Sequence, residues 1–373
     1  MLTASADAAI AAGLFRPVRL GTLELKNRIA MAPMSRYLSP GGVPHDGVVN
    51  YYRRRAEADV GLIITEGTYI GHPSAATYKD VPDFYGEKAL AGWGRVRQAV
   101  HEAGARIFPQ LWHTGSFRNS SMGPVEGVPG FGPSANTNTY TNHPEPSHAM
   151  SERDIEEVIE AYAQAAADAQ ALGFDGIELH AAHGYLIDEF LWDRTNRRGD
   201  RWGGDRRERT RFAVEILGAI RQRVGPDFPV SLRWSLWKQQ DYQAKLADNP
   251  RELAEILEPL VDAGVTVLHT STRRFWGPGF PEENDLTLAG WTRKITGLPV
   301  IMVGGAGLDR AGIDVVTEVA SLDVLEKPLE RGEFDVLAVG RALLADPDWA
   351  LKAREGRMAD CRPYSKALLA TLD

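Results

Sequence analysis

Gly176-Ile177-Glu178-Leu179-His180-Ala181-Ala182-His183-Gly184-Tyr185 is the stretch whose reading decides the architecture. Apolar residues run into it from Phe174, as in a strand buried on both faces of a parallel sheet. The run then breaks into two histidines three apart, a glycine and a tyrosine, all expected just past the strand end. In parallel α/β proteins that end carries the chemistry. Immediately upstream, Ser151-Glu152-Arg153-Asp154 reads as a capping signal, with Asp154 three residues after Ser151, opening an Ala-rich helix that runs to Leu172.

Further out, the same alternation recurs. Expected strands lie at 28–34, 60–66 and 105–111 before the central stretch, and at 229–235, 266–271, 300–303 and 336–339 after it. Each is apolar and turns polar or glycine-rich at its C-terminal end. Helical patterns at 48–58, 209–224 and 251–263 fall between them. Residues 14–27 alternate around Gly21 and predict a hairpin that closes the bottom of a barrel. The Ala-rich residues 5–13 suit a short helix or a loose start. Eight strands with right-handed crossovers predict an α/β (β/α)8 TIM barrel, read as one domain over residues 1–373. The competing open doubly wound sheet would want Gly-x-Gly-x-x-Gly in the first βα turn, where only Pro33-Met34-Ser35 stands. Two irregular loops interrupt the pattern, 114–149 after the third strand and 272–285 after the sixth. The first, rich in Gly, Pro, Ser and Asn, is expected to form a lid or rim.

Composition narrows the class. Apolar content of 43% and charged content of 25% are those of a globular protein, and a net charge of −8 without a basic cluster argues against nucleic acid. Cys361 is the one cysteine, which excludes a disulfide framework and an all-cysteine metal site and suits the cytoplasm. Residues 1–12 lack the basic start of a signal peptide, and no apolar run approaches bilayer length.

At the strand ends stand Ser35, Gly67, Gln110, His180, His183, Arg233, Gly304 and Gly340-Arg341, which a barrel would bring to one mouth. Gly304-Gly305 and Gly340-Arg341, after strands seven and eight, occupy the usual barrel phosphate position. There, glycine lets backbone N–H groups approach phosphate and arginine supplies a bidentate partner; ordinary βα turns with a surface arginine are the plainer reading. Arg233 lies among apolar residues and needs an anion. Either a carboxylate (Glu66 or Glu178) or an electron-accepting ring that turns anionic on reduction would serve. His180 and His183 suit anion or carbonyl recognition; metal ligation and a structural pair are the alternatives, and no second ligand-rich strand end completes a metal shell.

Several motifs in order carry a specific resemblance: Leu14-Phe15-x-Pro17, Asn27-Arg28-Ile29-x-Met31-Ala32-Pro33-Met34, Thr65-Glu66-Gly67, Gln110-Leu111-Trp112-His113, His180-x-x-His183-Gly184-Tyr185-Leu186, Asn196-x-Arg198-x-Asp200-x-x-Gly203-Gly204, and Gly340-Arg341 with Leu343 and Asp346-Pro347. Over nearly its whole length the chain resembles the Old Yellow Enzyme family, in its single-domain form without an iron–sulfur cluster. The resemblance implies FMN at the mouth, with Pro33, Met34, Ser35 and Gly67 along the flavin. Gln110 and Arg233 would meet its pyrimidine edge, and Gly304, Gly305, Gly340 and Arg341 its phosphate. His180 and His183 would bind the oxygen of an activated carbonyl or nitro group, and Tyr185 would donate a proton. Tyr37, Trp112, Phe275 and Trp276 are expected around the substrate. The implied activity is ping-pong reduction of enones and nitroalkenes with NADPH or NADH. Oxidative demethylation of N-methylated amines or betaines is the alternative, with Arg273-Arg274-Phe275-Trp276 recognising a carboxylate and a cation. A flavin-free phosphate-binding barrel lacks a Schiff-base lysine at a strand end. The partners implied are small molecules and, in some members, a second copy of the chain. The tail Arg362-Pro363-Tyr364 does not match the one by which those members share a site.

Overall fold

A computed structural model describes residues 10–373 except 142, 311 and 313. The Ala-rich start at 5–13 therefore lies mostly outside the described residues, though Ile10 onward is helical.

Eight parallel strands close into a barrel: β1 (Ile29–Met31), β2 (Leu62–Tyr69), β3 (Arg106–Trp112), β4 (Ile177–His183), β5 (Val230–Lys238), β6 (Val267–Ser271), β7 (Val300–Val303) and β8 (Val336–Val339). β8 pairs with β1, with Val339 opposite Met31, which closes the ring. Helices Asp46–Glu57, Glu87–Glu102, Glu152–Ala171, Arg211–Val224, Pro250–Asp262 and Leu288–Thr296 lie between successive strands. The helix at Glu152 starts as its sequence dictates: Ser151 accepts from the Asp154 N–H and the Asp154 carboxylate accepts from the Ser151 N–H.

Two apolar layers result. Helix faces pack on the outside of the strands, and a smaller cluster fills the barrel's lower interior with Ala30, Leu62, Phe108, Val267, Ile301 and Val336. The expected hairpin, Val18–Leu20 with Leu23–Leu25, adds Val18, Leu20 and Leu25 to this inner cluster and stops the barrel from below. The bottom of the barrel is thus filled with apolar side chains.

The strand bounds differ from expectation in an informative way. β4 does not end before its histidines: it runs through His183, with an irregularity against β5 between Ala181 and His183. His183 absorbs that irregularity with φ of 66°, a left-handed conformation costly for a non-glycine residue. β5 continues past Ser235 to Lys238. Among the described residues no helix is long and apolar enough to cross a membrane.

Candidate active site

The mouth holds a cavity of about 210 Å³ lined by Pro33, Ser35, Gly67, Gln110, Trp112, His180, His183, Tyr185, Arg233, Trp237 and Gln239. Strand register explains the convergence. Gly67 on β2 sits opposite Gln110 on β3, Gln110 opposite Glu178 on β4, and His180 opposite Arg233 on β5. Gly67 is glycine for a packing reason, since a Cβ there would lie 2.6 Å from the Trp112 ring.

One side chain below the cavity, a buried network centres on Glu178. Glu178 accepts from Gln110 Nε2 at 2.9 Å, Ser231 Oγ at 3.0 Å and His269 Nδ1 at 2.7 Å. Burial pushes its carboxyl up, but His269, Arg233 and Gln110 together hold it below the ordinary range. His269 is kept neutral by its own burial and acts as the Nδ1–H donor.

The cavity wall itself is not closed. No carboxylate bonds the buried Arg233 guanidinium among the described residues; Nη2 reaches Ser271 Oγ at 3.4 Å, and Nε has no partner. Its charge is offset only through space by Glu178, and desolvation lowers its pKa. His180 Nδ1 and Trp112 Nε1 are likewise buried without partners. Burial, and then Arg233, hold His180 and His183 well below the usual imidazole range, so both rings are neutral at pH 7 and each offers one N–H. The two rings are 5.0 Å apart and nearly perpendicular. His180 stacks on Trp112, and His183 lies between Trp237, at 4.5 Å, and Ser271 Oγ, at 2.7 Å.

Tyr185 follows the turn at Gly184 and precedes the short helix Leu186–Leu191. Gly184 has φ of 83°, and a Cβ there would strike the Gln240 amide at 2.0 Å. This turn brings the Tyr185 ring within 4.9 Å of both His180 and Trp112. Burial raises the phenol well above its ordinary pKa, so it stays protonated.

Other expected site residues lie outside the cavity lining. Gly304-Gly305 and Gly340-Arg341 sit side by side, because Val303 pairs with Ala338. The Arg341 guanidinium donates to the Gly312 and Arg310 carbonyls and stacks on Tyr364. Met34 packs beside Gly340, its sulfur 3.5 Å from where a Cβ would be. Phe275 was expected at the substrate; instead its N–H donates to Gly304 O at 3.1 Å, and the ring is drawn into the core. Trp276 packs against Gly305 and the Phe275 edge. Tyr37 is half exposed at the rim, edge-on to Tyr78. Trp237 and Gln239 were not expected. They share the face of Arg233, and positions 233, 235, 237 and 239 alternate with period two, a signal the sequence does carry.

The match to the family model NADH:flavin oxidoreductase / NADH oxidase covers residues 13–360. The chain therefore belongs to that family, the Old Yellow Enzymes. It is 36% identical over 357 residues to an "NADH oxidase" of Thermoanaerobacter brockii, covering 94% of this chain but 52% of that protein. It thus spans about half the length of that relative. A chanoclavine-I aldehyde reductase of Penicillium roqueforti is 35% identical over 95% of this chain and 92% of its own. The solved structure of morphinone reductase superposes with a TM-score of 0.81 at 28% identity, covering 96% of this chain and 92% of that one. The family's cofactor is FMN, and the residues present fit it. Arg233 is a buried cation lacking an anion beside an open cavity, as the electron-rich edge of a flavin requires.

Proposed function

We propose that the chain, acting as one FMN-binding barrel, reduces electron-poor carbon–carbon double bonds with NADPH or NADH. The observation that carries this reading is the convergence of His180, His183 and Tyr185 on the cavity that Arg233 and Gln110 also line. Bound there, FMN would supply hydride chemistry, taking a hydride from the nicotinamide and passing it on. Arg233 and Gln110 would hold its pyrimidine edge. Gly304, Gly305, Gly340 and Arg341 would meet its phosphate.

The protein's part follows from its side chains. Two neutral imidazoles provide N–H donors to a carbonyl or nitro oxygen, drawing electron density from the alkene and holding the charge that develops there. Tyr185, kept protonated by burial, supplies a proton to the α-carbon. A substrate amine cation is poorly served: no carboxylate lines the cavity, Arg233 repels it, and Phe275 is buried away from it. That weighs against the demethylase reading. The test is an anaerobic comparison of the FMN-loaded protein. Reduced protein should be reoxidised by cyclohexenone or nitrostyrene, and phenols should perturb the oxidised spectrum. Rapid reduction by N-methylated amines or betaines, with no alkene turnover, would reverse the assignment.

A further inference from the structure

Three consecutive residues of the catalytic turn are each held from one short segment at the end of β5. The Gln239 N–H donates to His183 O at 3.1 Å, Gln240 Nε2 donates to Gly184 O at 3.0 Å, and Gln239 Nε2 donates to the Tyr185 hydroxyl oxygen at 2.9 Å. The segment is itself pinned. Lys238 and Asp188, both with no exposed surface, pair at 2.5 Å, and Asp188 also accepts from the Gly184 N–H at 2.7 Å. Trp237 donates to Ser271 O at 3.1 Å while its ring covers His183. The backbone that carries the 239 side chain is therefore fixed on the same turn as the phenol it touches.

A phenol oxygen donates one hydrogen and accepts through its lone pairs. We propose that Gln239 is a positioning residue for proton transfer: its amide N–H occupies the Tyr185 oxygen from the wall side, which directs the hydroxyl hydrogen into the cavity. The inference rests on the reductase reading above. After hydride addition at the β-carbon, the Tyr185 O–H bond breaks and its proton forms the new C–H bond with the electron pair of the enolate. Tyr185 is left as a phenolate, later reprotonated by water. The same Gln239 N–H then faces a full negative charge, so its bond strengthens as the proton departs.

Other groups facing the phenol do not duplicate this role. His180 meets it edge-on, ring centre to ring centre at 4.9 Å, and Trp112 and Phe117 meet it through ring contacts. Arg233 and the phenols Tyr37, Tyr69 and Tyr78 act through space. Lys238 and Asp188 satisfy each other, and Glu189 is bonded to the Ser116 N–H.

The experiment compares Gln239→Leu and Gln239→Glu with wild type in FMN-loaded protein. The rate of reoxidation by cyclohexenone is divided by the rate of reduction by NADPH across pH. Gln239→Leu should lower this ratio by about 10- to 100-fold at every pH, the rate equivalent of one hydrogen bond to a charged group. In Gln239→Glu the ionised carboxylate would accept the Tyr185 hydrogen and turn it from the cavity. The ratio should be low at high pH and recover as acid protonates that carboxyl, within one folded protein. A second reading needs no turnover: in 13C-labelled tyrosine, the Tyr185 ring carbon bearing oxygen, identified by its loss in Tyr185→Phe, should shift in both variants. A wild-type ratio in both variants, or a Gln239→Glu ratio that rises with pH, would overturn the proposal. Absence of any alkene turnover by wild type, with the tyrosine resonance shifted as expected, would instead overturn the reductase reading and leave the hydrogen bond standing.

Discussion

Glu178 and His180 are two residues apart on β4, and Ser231 and Arg233 are two apart on β5, yet their surroundings are opposite. Around Glu178 the carboxylate accepts from three side chains, and only His269 Nε2 lacks a partner. One step up the strands, Arg233 Nε, His180 Nδ1 and Trp112 Nε1 are buried without partners. A lower layer whose central carboxylate is met from three sides contributes to the fold. An upper layer with three unmet polar atoms is maintained at a cost and suits completion by a bound group. Substitutions in the two layers should therefore fail in different ways.

The largest effect is expected in the upper layer, on rate alone. Tyr185→Phe keeps the ring against Phe117 and Trp112 and removes only the hydroxyl. Stopped-flow reoxidation by an enone should slow by about 10²–10⁴-fold, while reduction by NADPH and the unfolding midpoint stay near wild type. Equal slowing of both half-reactions, or of neither, would remove Tyr185 from the mechanism.

In the lower layer the loss should be one of stability. Glu178→Leu leaves Gln110, Ser231 and His269 without their shared acceptor, and removes the negative charge that offsets Arg233 through space. Denaturant unfolding should show a loss of about 3–5 kcal/mol. If Glu178→Leu is as stable as wild type but inactive, the division between layers is wrong.

Arg233→Leu sharpens the contrast, because its two effects differ in size. Glu178 keeps its three hydrogen-bond donors when the through-space charge of Arg233 is removed, so the FMN-free protein should lose less stability than it does in Glu178→Leu. The same change should weaken FMN retention, measured by fluorescence on dilution, by about 1.5–3 kcal/mol. Parallel losses in both would mean that Arg233 is structural.

How much of this was legible in the sequence depended on periodicity. Eight apolar runs with polar ends sufficed for the barrel, and register then brought Ser35, Gly67, Gln110, His180 and Arg233 together. Trp237 and Gln239 were hidden by composition: Leu236-Trp237-Lys238-Gln239-Gln240 reads as a polar loop unless the alternation from Arg233 is followed. The continuation of β4 through His183 depends on backbone irregularity at a non-glycine residue, which no residue type announces. Loop 272–285 carries no period, so the inward packing of Phe275 had no pattern to announce it. Arg341 stood in the expected turn, but the bonds it makes to loop carbonyls could not be read from its type.

A smaller effect concerns pH and the helix behind the site. Burial pushes the Glu189 carboxyl up to about 8, with the Ser116 hydroxyl and N–H pulling the other way. A carboxyl held neutral in the folded state and ionised in the unfolded one favours folding fully below its ordinary value of 4.5. That contribution is lost as pH rises toward about 8, at about 1.4 kcal/mol per unit. Glu189→Gln should flatten the decline of unfolding free energy with pH across this window. An unchanged slope would mean that Glu189 is ionised in the folded protein.

Whether FMN and an electron-poor alkene complete the unsatisfied upper layer is decided by one anaerobic spectrum taken in three steps. Purified protein, as isolated or after incubation with FMN, should show the visible flavin band. NADPH should bleach it, and an enone added without oxygen should restore it. Protein that retains no flavin after reconstitution, or a band that NADPH bleaches and no enone or nitroalkene restores, would mean that the upper layer serves another ligand.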